Sequence, residues 1–185
     1  MPASFYAYLN AMQPLWRDEA PAWTPALQQL MTEPGSFTAA LTARLGPIAV
    51  RPLLQQWQVI RADEAQQLGL ASPQPCYVRE VVLCRDNQPV IFARTVIPSR
   101  SLLGANRELT QLGGRALGAL LFAGDGERVS LQYRSLDGRE LLARRLLQQR
   151  LSWQRGLPAR RSLFRLRGAP LLVQEVALPA LVRML

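Results

Sequence analysis

Between Tyr77 and Ile97 the chain reads as two strand-length apolar runs joined by turn-forming residues. Tyr77-Val78-Arg79-Glu80-Val81-Val82-Leu83-Cys84 leads into Arg85-Asp86-Asn87-Gln88, and Pro89 to Ile97 returns. Adjacent β-rich runs with a polar centre predict an antiparallel hairpin. A second hairpin closes the chain: Ser162 to Arg167, a turn at Gly168-Ala169-Pro170, and Leu171 to Leu178. Each hairpin carries a charge inside an apolar run, Arg79 in the first and Glu175 in the second. Such a charge is costly unless something neutralises it or hydrogen-bonds to it. Strand alternation places Arg79 on one face with Tyr77, Val81 and Leu83, and Glu175 with Leu171, Val173 and Ala177. If both faces point inward, an Arg and a Glu meet an apolar interior, a setting for a small organic acid that also carries a hydroxyl.

The remaining elements are shorter. The first 24 residues, with Pro14, Trp16, Pro21 and Trp23, read as an irregular lead-in. Thr24 is placed to cap a helix over Ala26 to Thr32 with Pro25 at its first position, and Ser36 to cap a second from Phe37 to Leu45 that ends at Gly46. Ile48 to Ile60 is rich in β-formers, and Ala62 to Leu68 has room for one or two helical turns. Leu102 to Leu121 has helical spacing broken at Gly113-Gly114, which predicts two short helices. Arg128 to Tyr133 reads as a strand, and Leu141, Leu142, Leu146 and Leu147 suit an amphipathic helix. Hairpins mixed with helices, without repeats or a linker, predict one α+β domain over residues 1–185, built on a single antiparallel β-sheet.

Composition narrows the chemistry. The 185 residues can bury a sizeable core. There is no run of membrane-span length and no signal-like N-terminus, so the expected location is cytoplasmic. A net charge of +9 would ordinarily suggest nucleic acid. Here all 22 basic residues are Arg and they are dispersed, which points to a compositional bias and to no specific nucleic-acid partner. A positive field that draws in a small anion fits better. The Arg139 to Arg150 stretch reads mainly as a solvated helix face, with weak membrane-surface contact as the minority reading. Cys76 and Cys84, about 25 Å apart on one extended strand, are out of disulfide reach. The chain has no His, which excludes His-based triads and His-containing zinc sites.

Several segments together resemble the chorismate pyruvate-lyase family. They are Val78-Arg79-Glu80-Val81-Val82-Leu83-Cys84, Ala93-Arg94-Thr95-Val96-Ile97-Pro98, Leu112-Gly113 with Leu117-Gly118 and Leu121-Phe122, Arg160-Arg161-Ser162, Gly168-Ala169-Pro170-Leu171-Leu172, and Glu175-Val176-Ala177-Leu178-Pro179. The resemblance is strong over residues 77–122 and 160–179 and weak before residue 70. It implies an antiparallel sheet with helices and flaps over a buried ligand site. It also implies a cofactor-free, metal-free lyase, expected as a monomer, that converts chorismate to 4-hydroxybenzoate and pyruvate in ubiquinone biosynthesis. By resemblance, Arg79 binds the ring carboxylate, Glu175 stands near the ring hydroxyl, the backbone of Leu117 helps hold the carboxylate, and Phe37 occupies a flap position where methionine is often found. Arg79 and Glu175 are then the catalytic pair as well as ligand contacts. The stretch from Leu136 to Trp153 resembles an insertion.

Val81, Leu83, Val173 and Leu117 are expected as apolar walls for a flat ring. Two other readings compete. Arg79 and Glu175 can pair with each other, or with Glu80 and Arg94, as a buried ionic network. Glu80 and Arg94 read as structural partners, with Arg94 also able to reach a second carboxylate. At the level of function, the rival is a ligand-sensing domain that binds without turnover, as in transcription regulators of this fold. Those carry an N-terminal DNA-binding unit for which the proline-broken lead-in offers no pattern.

Overall fold

The computed structural model describes residues 16–185. Pro14 and the rest of the lead-in before Trp16 lie outside the described residues. Six antiparallel strands form one sheet in the order β1-β2-β3-β6-β5-β4. They are β1 (Ala49–Val59), β2 (Pro75–Arg85), β3 (Gln88–Pro98), β4 (Gly126–Ser135), β5 (Pro158–Leu166) and β6 (Ala169–Ala177). The helices are α1 (Pro25–Met31), α2 (Phe37–Leu45), α3 (Ala62–Gln67), α4 (Gly118–Leu121), α5 (Leu141–Gln148) and α6 (Pro179–Met184). This is the α+β architecture the alternation predicts.

Both hairpins turn more tightly than the sequence suggests. Arg85 pairs with Gln88, leaving Asp86 and Asn87 as a two-residue turn with φ of 46° and 64°. Asp and Asn tolerate that left-handed region, and a turn with both central φ positive matches strand twist. In the second hairpin Leu166 pairs with Ala169, so the turn is Arg167-Gly168, with φ of 51° and 77°. The expected turn at Gly168-Ala169-Pro170 is therefore shifted. Ala169 and Pro170 already belong to β6, and β5 reaches back to Pro158. Pro52, which lacks an N–H, is accommodated because β1 is an edge strand with a register shift there.

The caps are mixed. Ser36 accepts from the Ala39 N–H at 3.4 Å, as expected. Pro25 opens α1, but the Thr24 side chain makes no cap bond. Between Ser99 and Gln111 the helical spacing closes as two 3-10 turns, Ser99–Leu102 and Gly104–Gln111, followed beyond the glycines by the single turn α4. Helix α6 was not expected, and its Ala180 and Leu181 pack with Leu27, Val81 and Ile91.

The sheet buries both faces. On the front, one cluster joins α1, α2 and α6 to Val81, Leu83, Ile91 and Ala93. A second joins the 3-10 turn and α4 to Tyr77, Ile97, Leu171 and Val173. On the back, Leu142, Ala143 and Leu146 of α5 are buried, and Leu142 and Leu146 pack with Val82, Phe92 and Val176. The insertion-like stretch thus covers the back of the sheet. Among the described residues no helix is long and apolar enough to cross a membrane.

Candidate active site

A cavity opens on the front face between the two apolar clusters. It holds about 540 Å³ of atom-free space, its open mouth included. Its floor comes from Arg79, Val81 and Leu83 of β2, Ala93 and Thr95 of β3, Val173 and Glu175 of β6, and Arg160 and Phe164 of β5. Phe37 and Thr38 of α2, with Leu117, Gly118 and Leu121, close over it. The structure thus brings Arg79, Glu175, Leu117 and Phe37 into one place, with the expected walls Val81, Leu83 and Val173. The cause is the alternation of strands paired in register. Arg79 pairs with Thr95, Thr95 with Val173, and Ala93 with Glu175. Arg79 and Glu175 are therefore two strands and one pleat repeat apart, roughly 12 Å at Cα. Two long side chains can grip opposite ends of a ring across that gap.

Arg79 is 3% exposed and has no carboxylate partner among the described residues. Its Nη2 donates to the Gly113 and Arg115 carbonyls, both at 2.9 Å, and its buried Nε has no hydrogen-bond partner. Gly113 adopts φ 52°, a left-handed conformation that glycine takes without strain, in the turn that presents these carbonyls. Burial pulls the Arg79 guanidinium below its ordinary range, and Tyr77 offsets this only in part. A buried, charged fork with an unused donor is poised for an anion.

Glu175 does have a partner, one the sequence reading missed. Arg160, 1% exposed, donates from Nε to Glu175 Oε2 at 2.6 Å. Its Nη1 donates to the Met31 and Glu33 carbonyls at 3.2 and 3.1 Å, and its guanidinium lies 3.8 Å from the Phe37 ring centroid. Arg160 therefore links the acid on the floor to the segment that roofs the cavity. Arg160 pairs with Glu175 in register. Starting the strand at Ser162 hid that pairing. Reading alternation back to Pro158 would have found it.

Arg128 of β4 also lines the cavity. It packs 4.9 Å from the Phe164 centroid and 5.4 Å from that of Phe122, and donates to the carbonyls of Glu33, Pro34 and Gly35. The roof is held close by small residues. A Cβ on Gly118 would stand 2.9 Å from the Ser36 Oγ, so a side chain there would push that hydroxyl away from the Ala39 N–H that it caps.

The ionic network expected as a rival for Arg79 exists, but on the other face. Arg94 donates to Glu64 at 2.8 and 3.2 Å and to Glu80 at 2.8 Å. Arg145 of α5 reaches Glu80 Oε2 at 2.6 Å, and Gln174 donates to Glu64 at 2.8 Å. Arg94 therefore faces away from the cavity and cannot reach a carboxylate there. Among the described residues, no group of three or more His, Cys, Asp or Glu is placed to hold a metal ion.

Comparison with known proteins gives one consistent result. The sequence profile of a family described as chorismate lyase matches residues 12–183. A probable chorismate pyruvate-lyase from Halorhodospira halophila is 42% identical over 176 residues, covering 89% of this chain and 93% of the relative. One from Aromatoleum aromaticum is 39% identical over 175 residues, covering 92% and 94%. Among solved structures, the ligand-binding domain of a putative GntR-family transcriptional regulator from Bordetella bronchiseptica superposes with a TM-score of 0.52. It is 18% identical, with 72% of this chain and 86% of that one covered, and shows likeness of fold alone.

Proposed function

This chain belongs to the chorismate lyase family and is a lyase, and on that premise we propose that it eliminates pyruvate from chorismate to give 4-hydroxybenzoate, the aromatic precursor for ubiquinone. The observation that carries the proposal is the pairing of an anion-free Arg79 with a Glu175 carboxylate across one apolar cavity. 4-Hydroxybenzoate has that polarity, a carboxylate at one end of a flat ring and a hydroxyl at the other.

In the reaction the ether C–O bond at the ring breaks, and the adjacent carbon, which carries the hydroxyl, loses its proton. The ring becomes aromatic, and the released enolpyruvate becomes pyruvate once its methylene gains a proton. The product is far more stable than the substrate, so the protein has chiefly to bind, orient and exclude water. Arg79 takes the ring carboxylate with its fork, aided by the turn at Gly113 and by Leu117. Glu175 accepts a hydrogen bond from the ring hydroxyl. That brings its carboxylate near the proton that leaves, where it can act as general base. Arg160 fixes the Glu175 rotamer and supplies its counter-charge. Phe37 covers the ring face. All the groups in this scheme belong to the chain itself and work without metal or cofactor.

The reading is tested by incubating purified protein with chorismate in the presence of EDTA and following 4-hydroxybenzoate and pyruvate. Equal amounts of both should form. No product, or product only after metal is restored, overturns it. Tight 4-hydroxybenzoate binding without turnover would favour a sensor that shares the fold.

A further inference from the structure

The cavity holds more positive charge than one ring carboxylate requires. Its lining includes three guanidinium groups, Arg79, Arg128 and Arg160, against one carboxylate, Glu175. Arg160 is engaged, with Nε on Glu175 and Nη1 on two carbonyls. The other two lack any carboxylate partner among the described residues. They also share a feature: Arg79 and Arg128 each donate from their Nη atoms to backbone carbonyls and keep a buried Nε with no hydrogen-bond partner. Buried donors are rarely left unused. Burial, reinforced by the nearby Arg160, pulls Arg128 below the ordinary arginine range, and the more distant charges of Glu175 and Glu33 offset this only in part. Arg79 comes from β2 and Arg128 from β4, on opposite sides of a floor built by β3, β6 and β5.

We propose that Arg128 is a second carboxylate acceptor, so that the cavity takes a dianion with one acid group at each end. This deepens the chorismate reading and rests on it: the enolpyruvyl carboxylate, which leaves with pyruvate, would lie on Arg128. The surplus of two positive charges in the lining matches two carboxylates. The Phe122 and Phe164 rings hold the guanidinium by cation–π contact. The carbonyls of Glu33, Pro34 and Gly35 tie it to the roof, so filling this site would also draw the roof down.

Two probes differ by one charge. One is 4-hydroxybenzoate bearing a carboxymethoxy arm ortho to its hydroxyl, and the other has that arm capped as the primary amide. Titration calorimetry on the intact protein should find the acid binding the tighter by tenfold or more, on the order expected for a buried charged pair. In Arg128→Gln the acid should weaken by roughly 30-fold or more. The acid and amide should then bind alike, with 4-hydroxybenzoate affinity nearly unchanged. Equal binding of acid and amide to the wild type overturns the proposal, and this arm decides even if the variant does not fold. So does a variant that loses 4-hydroxybenzoate as heavily as the acid, because Arg128 would then only brace the roof. If the wild type makes no 4-hydroxybenzoate from chorismate yet discriminates acid from amide, the substrate reading falls and the second acceptor stands.

Discussion

The two faces of this sheet treat buried arginine in opposite ways. On the back, Arg94 is enclosed by Glu64 and Glu80, with Arg145 and Gln174 completing the set. On the front, Arg79 is as deeply buried but meets only backbone carbonyls. The electrostatics follow. Burial lowers both guanidinium groups, but around Arg94 the hydrogen bonds and charges of Glu64 and Glu80 outweigh it and lift the group above its ordinary range. Arg79 stays below its own. A cation neutralised within the fold is there for the fold. A cation left without an anion keeps its binding capacity for something the fold does not contain. The difference separates a charge closed within the fold from one left open, inside one sheet and two adjacent strands.

The largest effect should come from breaking the closed network. Arg94→Met leaves Glu64 and Glu80 short of a buried partner, and removing one member of such a pair typically costs about 3–5 kcal/mol. Urea denaturation should show a loss of that order. The fraction that remains folded should still bind 4-hydroxybenzoate, because Arg94 faces away from the cavity. Loss of binding at full stability would mean that the faces are not independent.

The Glu175–Arg160 pair tests the comparison harder, since it lies on the front face yet has the closed geometry of the back. Glu175→Gln keeps the size and much of the hydrogen bonding but cannot take a proton. As a general base, Glu175 should be missed in turnover by roughly 10²-fold or more, with 4-hydroxybenzoate binding changed far less. If the pair is structural, stability falls instead and turnover per folded molecule holds.

The smallest effect concerns the thiols of the back face. Cys76 and Cys84 are buried, and burial, with some help from Glu64, pushes the Cys76 thiol up to about 11. The folded chain then holds that proton more tightly than the unfolded chain. This contribution to stability is complete below about pH 9 and is lost as pH rises toward 11. Native protein at pH 8 should resist iodoacetamide at both cysteines until denaturant is added. Rapid labelling of Cys76 in the native state would show that the back face is open.

Much of the front face was legible because strand alternation is a strict rule. Spacing puts Arg79, Val81 and Leu83 on one strand face and Val173 and Glu175 on another, the family resemblance joins the two faces around one ligand, and all five residues line the cavity. Two arginines escaped for different reasons. Arg160 falls before Ser162, where the Pro158-Ala159-Arg160-Arg161 run lacks an apolar strand pattern, and the three-residue turn expected after Arg167 also shifts the register that pairs it with Glu175. Arg128 sits at the sheet edge, in a chain where Arg is the sole basic residue and its presence on a strand marks nothing by itself. Its importance comes from contacts with Phe122 and Phe164 and with the Glu33 to Gly35 turn, some 90 residues away in sequence. The back network was expected as pairs, but its assembly depends on Glu64 and Arg145, contributed by helices whose docking no local pattern announces.

The central claim is that Arg79 is held unneutralised for a ligand at the expense of the fold. It is tested most directly by thermal denaturation of Arg79→Met with and without 4-hydroxybenzoate. The account predicts that the ligand-free variant melts at the wild-type temperature or above it, because a buried charge without an anion is gone, and that the product no longer raises its Tm. A variant that melts several degrees below wild type, as Arg94→Met should, or that 4-hydroxybenzoate still stabilises, would contradict it.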